Sequence, residues 1–189
     1  MLGINFSNVD AAGNYPKPKA GGYVIRITRA ENNMGKERTE FEFDFAEGEF
    51  KDYYQGLQER AKFWGGKFSK SYKEKARPFY RGFVETILAS NAHTDGLVIG
   101  DFEDIDETKF VGKLVGMVVG EKAYIGNDGK EKVKLDTYNA EFVTVDAIRS
   151  GDYTVPAFIP LEEQTAPAPG NVVDTTAGFG EIREDDMPF

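Results

Sequence analysis

Between Lys51 and Arg81 the chain reads KDYYQGLQERAKFWGGKFSKSYKEKARPFYR, where nine lysines or arginines stand against three acids and eight aromatic residues are interleaved. These side chains suit binding rather than bond-breaking. Cations follow a phosphate backbone, and flat rings stack on unpaired bases, each stack contributing about 1–3 kcal/mol without demanding a particular base. The local charge of +6 lies in a chain whose net charge is -9, and such an asymmetry is an electrostatic footprint of nucleic-acid binding. The contacts expected with single-stranded DNA are Tyr53, Tyr54, Lys62, Phe63, Trp64, Lys67, Lys70, Tyr72, Lys73 and Arg77. Trp64 precedes Gly65 and Gly66, which sets its ring on a permissive turn. The other reading of Trp64 is a plug for the sheet.

Other chemistries find less support. From Asp101 to Glu107 the segment DFEDIDE holds five acids, and clustered carboxylates can hold Mg²⁺ for nuclease chemistry if their oxygens converge. No basic or histidine constellation accompanies them, so a solvated loop is the ordinary reading. One histidine, His93, and no cysteine leave no multi-histidine or thiolate zinc site and no disulfide. No catalytic residue, metal or cofactor is expected. The first residues, MLGINFSNVD, lack the basic start and apolar middle of a secretory signal, and no apolar run approaches the roughly 18 residues of a membrane span. A cytoplasmic protein without membrane contact is the expectation.

The elements that must position these residues read mainly as strands. Residues 1–21, with Pro16 and Pro18, form an N-terminal arm. GYVIRIT, from Gly22 to Thr28, is rich in β-branched and aromatic residues and reads as a strand. After turn residues Asn32, Asn33 and Gly35, the series Thr39, Phe41, Phe43 and Phe45 alternates with Glu40, Glu42 and Asp44. The phenylalanines predict core. The acidic face of the same strand would repel phosphates, so the path of DNA is expected to avoid it and to follow the chain after Lys51.

Pro78 suits the first turn of a helix. Phe79, Phe83 and Ile87, flanked by Tyr80, Val84 and Leu88, predict an amphipathic helix to about Asn91 with that stripe in the core. His93 falls in an exposed loop beyond it. LVGMVV after Lys113 and Ala123–Ile125 are strands, and Asp128-Gly129 predicts a hairpin whose return arm runs from Lys132 to about Val145. A helical turn at Val145–Arg149 and a strand at Val155–Ile159 close the body. This inventory fits an oligonucleotide-binding (OB) β-barrel spanning 22–159, with its helix at Pro78–Ser90 and with loops Glu31–Glu37 and Gly126–Glu131 flanking the ligand groove.

From Pro160 to Phe189 the chain carries seven acids and one base, which leaves 25 acids and 22 bases in the body. Proline, alanine, glycine, threonine and acids offer little to bury, so residues 160–189 predict a disordered acidic tail. It ends Glu184, Asp185, Asp186, Met187, Pro188, Phe189. The physical sense is an adhesive tip, with Phe189 in an apolar pocket, its terminal carboxylate on a base and the aspartates on a basic rim. Such a tail can also fold over a positive groove and compete with DNA.

Acids followed by a hydrophobic residue, proline and a terminal phenylalanine resemble the tip of bacterial single-stranded DNA-binding proteins, with Met187 where isoleucine is usual. INFSNV at 4–9, GGYVIRITRAEN at 21–32, EFEFDFAEGEF at 40–50, FWGGKF and VGKLVGMVVGEKAYIGNDG are similar to a phage-encoded family of single-stranded DNA-binding proteins from Gram-positive hosts. The resemblance implies a role in DNA replication, recombination and repair. It implies recruitment of a helicase, polymerase or recombinase through Asp185, Asp186, Met187, Pro188 and Phe189. A homo-oligomer is compatible with it. The function expected is sequence-tolerant protection of single-stranded DNA. The alternatives are a recombination adaptor or strand-annealing protein acting mainly through partners and, more remotely, a metal-dependent nuclease.

Overall fold

The computed structural model describes residues 16–93, 97 and 106–162. Residues 1–15 of the arm, residues 101–105 of the acidic cluster, and the tail from 163, with its tip Asp185, Asp186, Met187, Pro188 and Phe189, lie outside the described residues.

The fold is mainly β, a curled antiparallel sheet with a few helices. Strand β1 (Gly21–Asn33) runs well past the expected Thr28, because it serves two neighbours. Residues Gly21–Arg26 pair with β4 (Leu114–Val119), and residues from Ile25 onward pair with β2 (Arg38–Phe45). One strand shared in this way bends the sheet. The register slips between Ile27 and Arg29, and such a bulge re-aims the side chains that follow it. Ile25 and Ile27 point inward before it and Ala30 after it, which leaves Arg29 and Glu31 outside.

Strand β2 keeps the alternation read from its sequence. Phe41, Phe43 and Phe45 are fully buried, stacked or edge-on with Phe68, Tyr54 and Phe83. Strands β3 (Lys67–Ser71) and β7 (Glu141–Val143) complete the five-stranded order β3-β2-β1-β4-β7. The result is barrel-like and open between β3 and β7. Side chains bridge that seam: the rings of Phe68 and Phe142 lie 4.8 Å apart, and the Thr137 hydroxyl donates to the Lys67 carbonyl at 2.8 Å.

Helix α2 (Arg77–Ser90), between β3 and β4, buries Tyr80, Phe83, Val84 and Ile87. Its C-terminus is tied to β4 by Asn91, whose amide nitrogen donates to the carbonyls of Ile87 and Leu114 while its oxygen accepts from the Leu114 N–H. Phe79 corrects the expected stripe, being 74% exposed. Steps of four residues drift by about 40° around a helix of 3.6 residues per turn, so Phe79 falls off the edge that Tyr80, Phe83, Val84 and Ile87 define. Leu88 is half-buried, and His93 is exposed as expected.

The Asp128-Gly129 hairpin forms as read, with Gly129 in the left-handed conformation (φ +72°) between β5 (Glu121–Ile125) and β6 (Glu131–Leu135). Its return arm is shorter than expected and breaks after Leu135. There Asp136 is buried, its backbone N–H bound to the Gly120 carbonyl and its carboxylate 3.1 Å from Lys122 Nζ. A 3-10 turn at Thr137–Asn139 then leads to β7. Helix α3 (Val145–Ser150) follows, its first turn capped by the Thr144 hydroxyl. The strand expected at Val155–Ile159 is reduced to one parallel bridge between Lys122 and Ile159. Among the described residues no helix is long and apolar enough to cross a membrane.

Candidate nucleic-acid interface

The basic aromatic segment does not fold as one surface. It contains a helix that local sequence did not announce, α1 (Tyr53–Ala61), and the reason lies in β2. Asp44 sits on the outward-alternating set of β2 yet is 5% exposed, because its carboxylate accepts the N–H groups of Phe45, Tyr54 and Gln55 at 2.8–2.9 Å. A helix start leaves such donors without intrahelical partners, and a carboxylate from the sheet supplies the acceptor. Burial nevertheless pushes the Asp44 carboxyl above its ordinary range, the three donors offsetting only part of the desolvation.

With α1 fixed, the ten expected contacts separate by environment. Tyr54 belongs to the core, its ring stacked on Phe45 and edge-on to Phe43. Tyr53 and Trp64 are half-buried against the same core, and the Trp64 indole N–H donates to the Gly66 carbonyl at 3.1 Å. Phe63 is half-buried, while Lys62 is exposed at the left-handed end of α1. Gly66 is required here, since a Cβ would lie 2.2 Å from the Phe43 carbonyl oxygen.

Along β3 the alternation sends neighbouring lysines in opposite directions. Lys67 faces outward and pairs with Glu42. Lys70 turns into the seam, its ammonium 4.3 Å from the centre of the Phe142 ring and 5.6 Å from that of Phe83. No described carboxylate pairs with it, and desolvation lowers its pKa to about 8. Tyr72, half-buried, donates its hydroxyl to Asn32 at the end of β1. Lys73 and Arg77 are exposed just beyond it, Arg77 donating to the Tyr72 carbonyl.

The outer face of β1, β2 and β3 forms a groove lined by Arg29, Glu31, Arg38, Glu40, Phe41, Glu42, Lys67, Phe68, Ser69 and Tyr138. The expected acidic face of β2 is therefore neutralised across the strands. Arg38 binds Glu40 at 2.9 Å, Arg29 binds Glu31 and approaches Glu42, and Lys67 lies 3.3 Å from Glu42. Three cations match three carboxylates. Tyr138, half exposed, comes to this groove from the 3-10 turn after β6.

A second cationic surface lies on the hairpin. Period-two alternation puts Lys122, Tyr124, Lys132 and Lys134 on one face of β5 and β6, with the Lys134 ammonium 5.2 Å from the centre of the Tyr124 ring. The signal was present in the sequence as Lys-x-Tyr and Lys-x-Lys on either side of the Asp-Gly turn. Arg29 carried no such signal, because only the bulge in β1 turns it outward. Among the described residues no group of three or more His, Cys, Asp or Glu side chains is placed to hold a metal ion.

In comparison with known proteins, the chain matches no family model and no curated relative.

Proposed function

We propose that this protein binds single-stranded DNA without enzymatic action and largely independently of sequence, on a body of the OB type. The supporting observation is the order β3-β2-β1-β4-β7 with a helix between β3 and β4. In an OB barrel a three-strand meander, a helix and two further strands have this arrangement, and the ligand crosses the outer face of the meander between the loop after the first strand and the loop after the fourth. Here those flanks are the turn at Met34–Lys36 and the β5–β6 hairpin, with its Lys122, Lys132 and Lys134 face. The groove on β1–β3 supplies the ring of Tyr138, and Lys62, Lys73 and Arg77 are exposed cations of the basic segment outside its lining. The tail then serves as a tether whose tip, Asp185–Phe189, presents an acidic and aromatic end to replication, recombination or repair enzymes.

The test is fluorescence anisotropy of labelled oligothymidine and of a duplex of equal length, at low and moderate salt, with Trp64 emission followed in parallel. The expected result is salt-sensitive binding of the single strand in preference to the duplex, since neutralised phosphates release counterions. Absence of binding to the single strand at low salt overturns the proposal and leaves the partner-binding tail as the function to pursue.

A further inference from the structure

We infer that the groove on the outer face of β1–β3 receives bases rather than phosphates, and favours cytosine and guanine over thymine. The inference rests on the single-stranded DNA reading and concerns which part of the strand the groove meets.

The argument begins with charge. A surface that tracks phosphates carries unpaired cations, but here Arg29, Arg38 and Lys67 are each already beside a carboxylate. A phosphate entering the groove would meet the charges of Glu31, Glu40 and Glu42 beside those of their partners and gain little net attraction. A neutral base suffers no such penalty.

The second step is the free valence of those carboxylates. Arg29 donates to Glu31 Oε1, Arg38 and Asn33 both donate to Glu40 Oε1, and Arg29 and Lys67 both approach Glu42 Oε1. Among the described residues nothing donates to Oε2 of any of the three. Ionised carboxylates only accept hydrogen bonds, so the groove presents carboxylate acceptors beside the guanidinium groups of Arg29 and Arg38. Their half-buried setting, with Arg38 and Glu40 each 22% exposed, strengthens whatever they bind.

The third step matches this arrangement to base edges. Cytosine offers an exocyclic amino donor beside acceptors at N3 and O2, and guanine offers N1–H and an amino group beside O6. Both suit a carboxylate next to a guanidinium. A carboxylate accepting from the cytosine amino group is an established pairing. Thymine presents a single N–H between two carbonyl oxygens, which a carboxylate repels. Tyr138, half exposed at the groove, supplies a ring against which the inserted base stacks.

The experiment compares oligodeoxycytidine and oligodeoxythymidine of equal length, binding the full chain at neutral pH, for the native protein and for the double variant Glu40→Gln, Glu42→Gln. Unfolding midpoints establish that the variant is folded. The expected result is about tenfold tighter binding of oligodeoxycytidine by the native protein, the scale of one good base pairing. The ratio should fall toward one in the variant, because each glutamine loses charge and acceptor strength at the groove. Equal binding of the two strands by the native protein, with salt-sensitive affinity for both, overturns this inference and leaves the single-stranded DNA reading standing. A variant that shifts both strands by the same factor also overturns it, since that marks a general charge effect. Binding of neither strand at low salt overturns both.

Discussion

Strand β2 carries two faces that obey different rules. Its inward set, Phe41, Phe43 and Phe45, is almost fully excluded from solvent and locked by ring contacts on every side. Its outward set begins as ion pairs at the groove, Glu40 with Arg38 and Glu42 with Lys67, and ends at Asp44, buried under α1. The inward face gains from burial, which accrues with every square ångström removed from water. The outward pairs gain less from their partners, because ion pairs in contact with solvent typically contribute about 0.2–1 kcal/mol. What they do is set the charge of the surface. The inner face therefore decides whether the chain folds, and the outer face decides what it can hold.

Substitutions on the two faces should separate stability from binding. Phe43→Ala removes a buried ring that touches Phe45, Tyr54 and Phe68. It should cost about 3–5 kcal/mol, read as a shift of the denaturant midpoint at unchanged slope. Gly66→Ala comes next, at about 1–3 kcal/mol, the range for overpacking a tight site. The added methyl meets the Phe43 carbonyl and the Tyr54 ring. The clash would pry β3 from β2, and a variant as stable as the native protein would show that the two strands can separate without cost.

Lys70 breaks the division, being a charged side chain on the inward set of β3. Its pKa of about 8 in the folded protein compares with an ordinary 10.5. The sign follows from linkage. Between those values the unfolded chain holds a proton that the folded chain has released, so stability rises with pH across that window. Below about pH 8 both states are charged, and the folded state carries the full cost of desolvating the ammonium, relieved in part by the Phe142 ring. Lys70→Met should therefore be more stable than the native protein at pH 7, with the advantage narrowing as pH rises from about 8 toward 10.5. Chemical unfolding of both proteins at pH 7 and pH 10 measures this. A margin independent of pH would mean that the ammonium stays solvated at the seam.

What the sequence made legible follows the same division. Period-two phenylalanines, the Asp-Gly turn and the apolar stripe of α2 are local patterns, and each identified its element. Helix α1 was not legible, because its determinant lies ten residues earlier. Its own segment contains Gly56, and Asp52 before it has φ +57° and makes no side-chain cap, so Asp44 provides what the segment lacks. The candidate site was legible in residue type and not in direction. Lys67 and Lys70 read alike, yet alternation sends one to the groove and the other to the seam. Arg29 depends on the bulge, and Tyr138 on the break after Leu135, where Asp136 turns the chain inward. Bulges and buried polar anchors are tertiary features, and a periodicity argument does not reach them.

The smallest stability effect should come from the outer face, and it sharpens the contrast most. Glu42→Gln keeps the shape of the side chain and removes the charge shared by Arg29 and Lys67. Stability should move by no more than about 0.5 kcal/mol, as for most surface changes. Affinity for oligothymidine at low salt should rise, because Lys67, released from its carboxylate, becomes available to phosphate while Arg29 keeps Glu31. The gain should vanish on adding salt, with the slope of log affinity against log salt steepening by roughly 0.7 for each phosphate contact made. Tighter binding at every salt concentration would indicate a changed groove shape rather than a changed charge. Unaltered binding would place the path of the strand elsewhere, most directly on the Lys122, Lys132 and Lys134 face of the hairpin. On that face Lys122 is held by the buried Asp136 and Lys132 lies 3.7 Å from Asp128, so a strand bound there would keep its salt slope when Glu42 loses its charge.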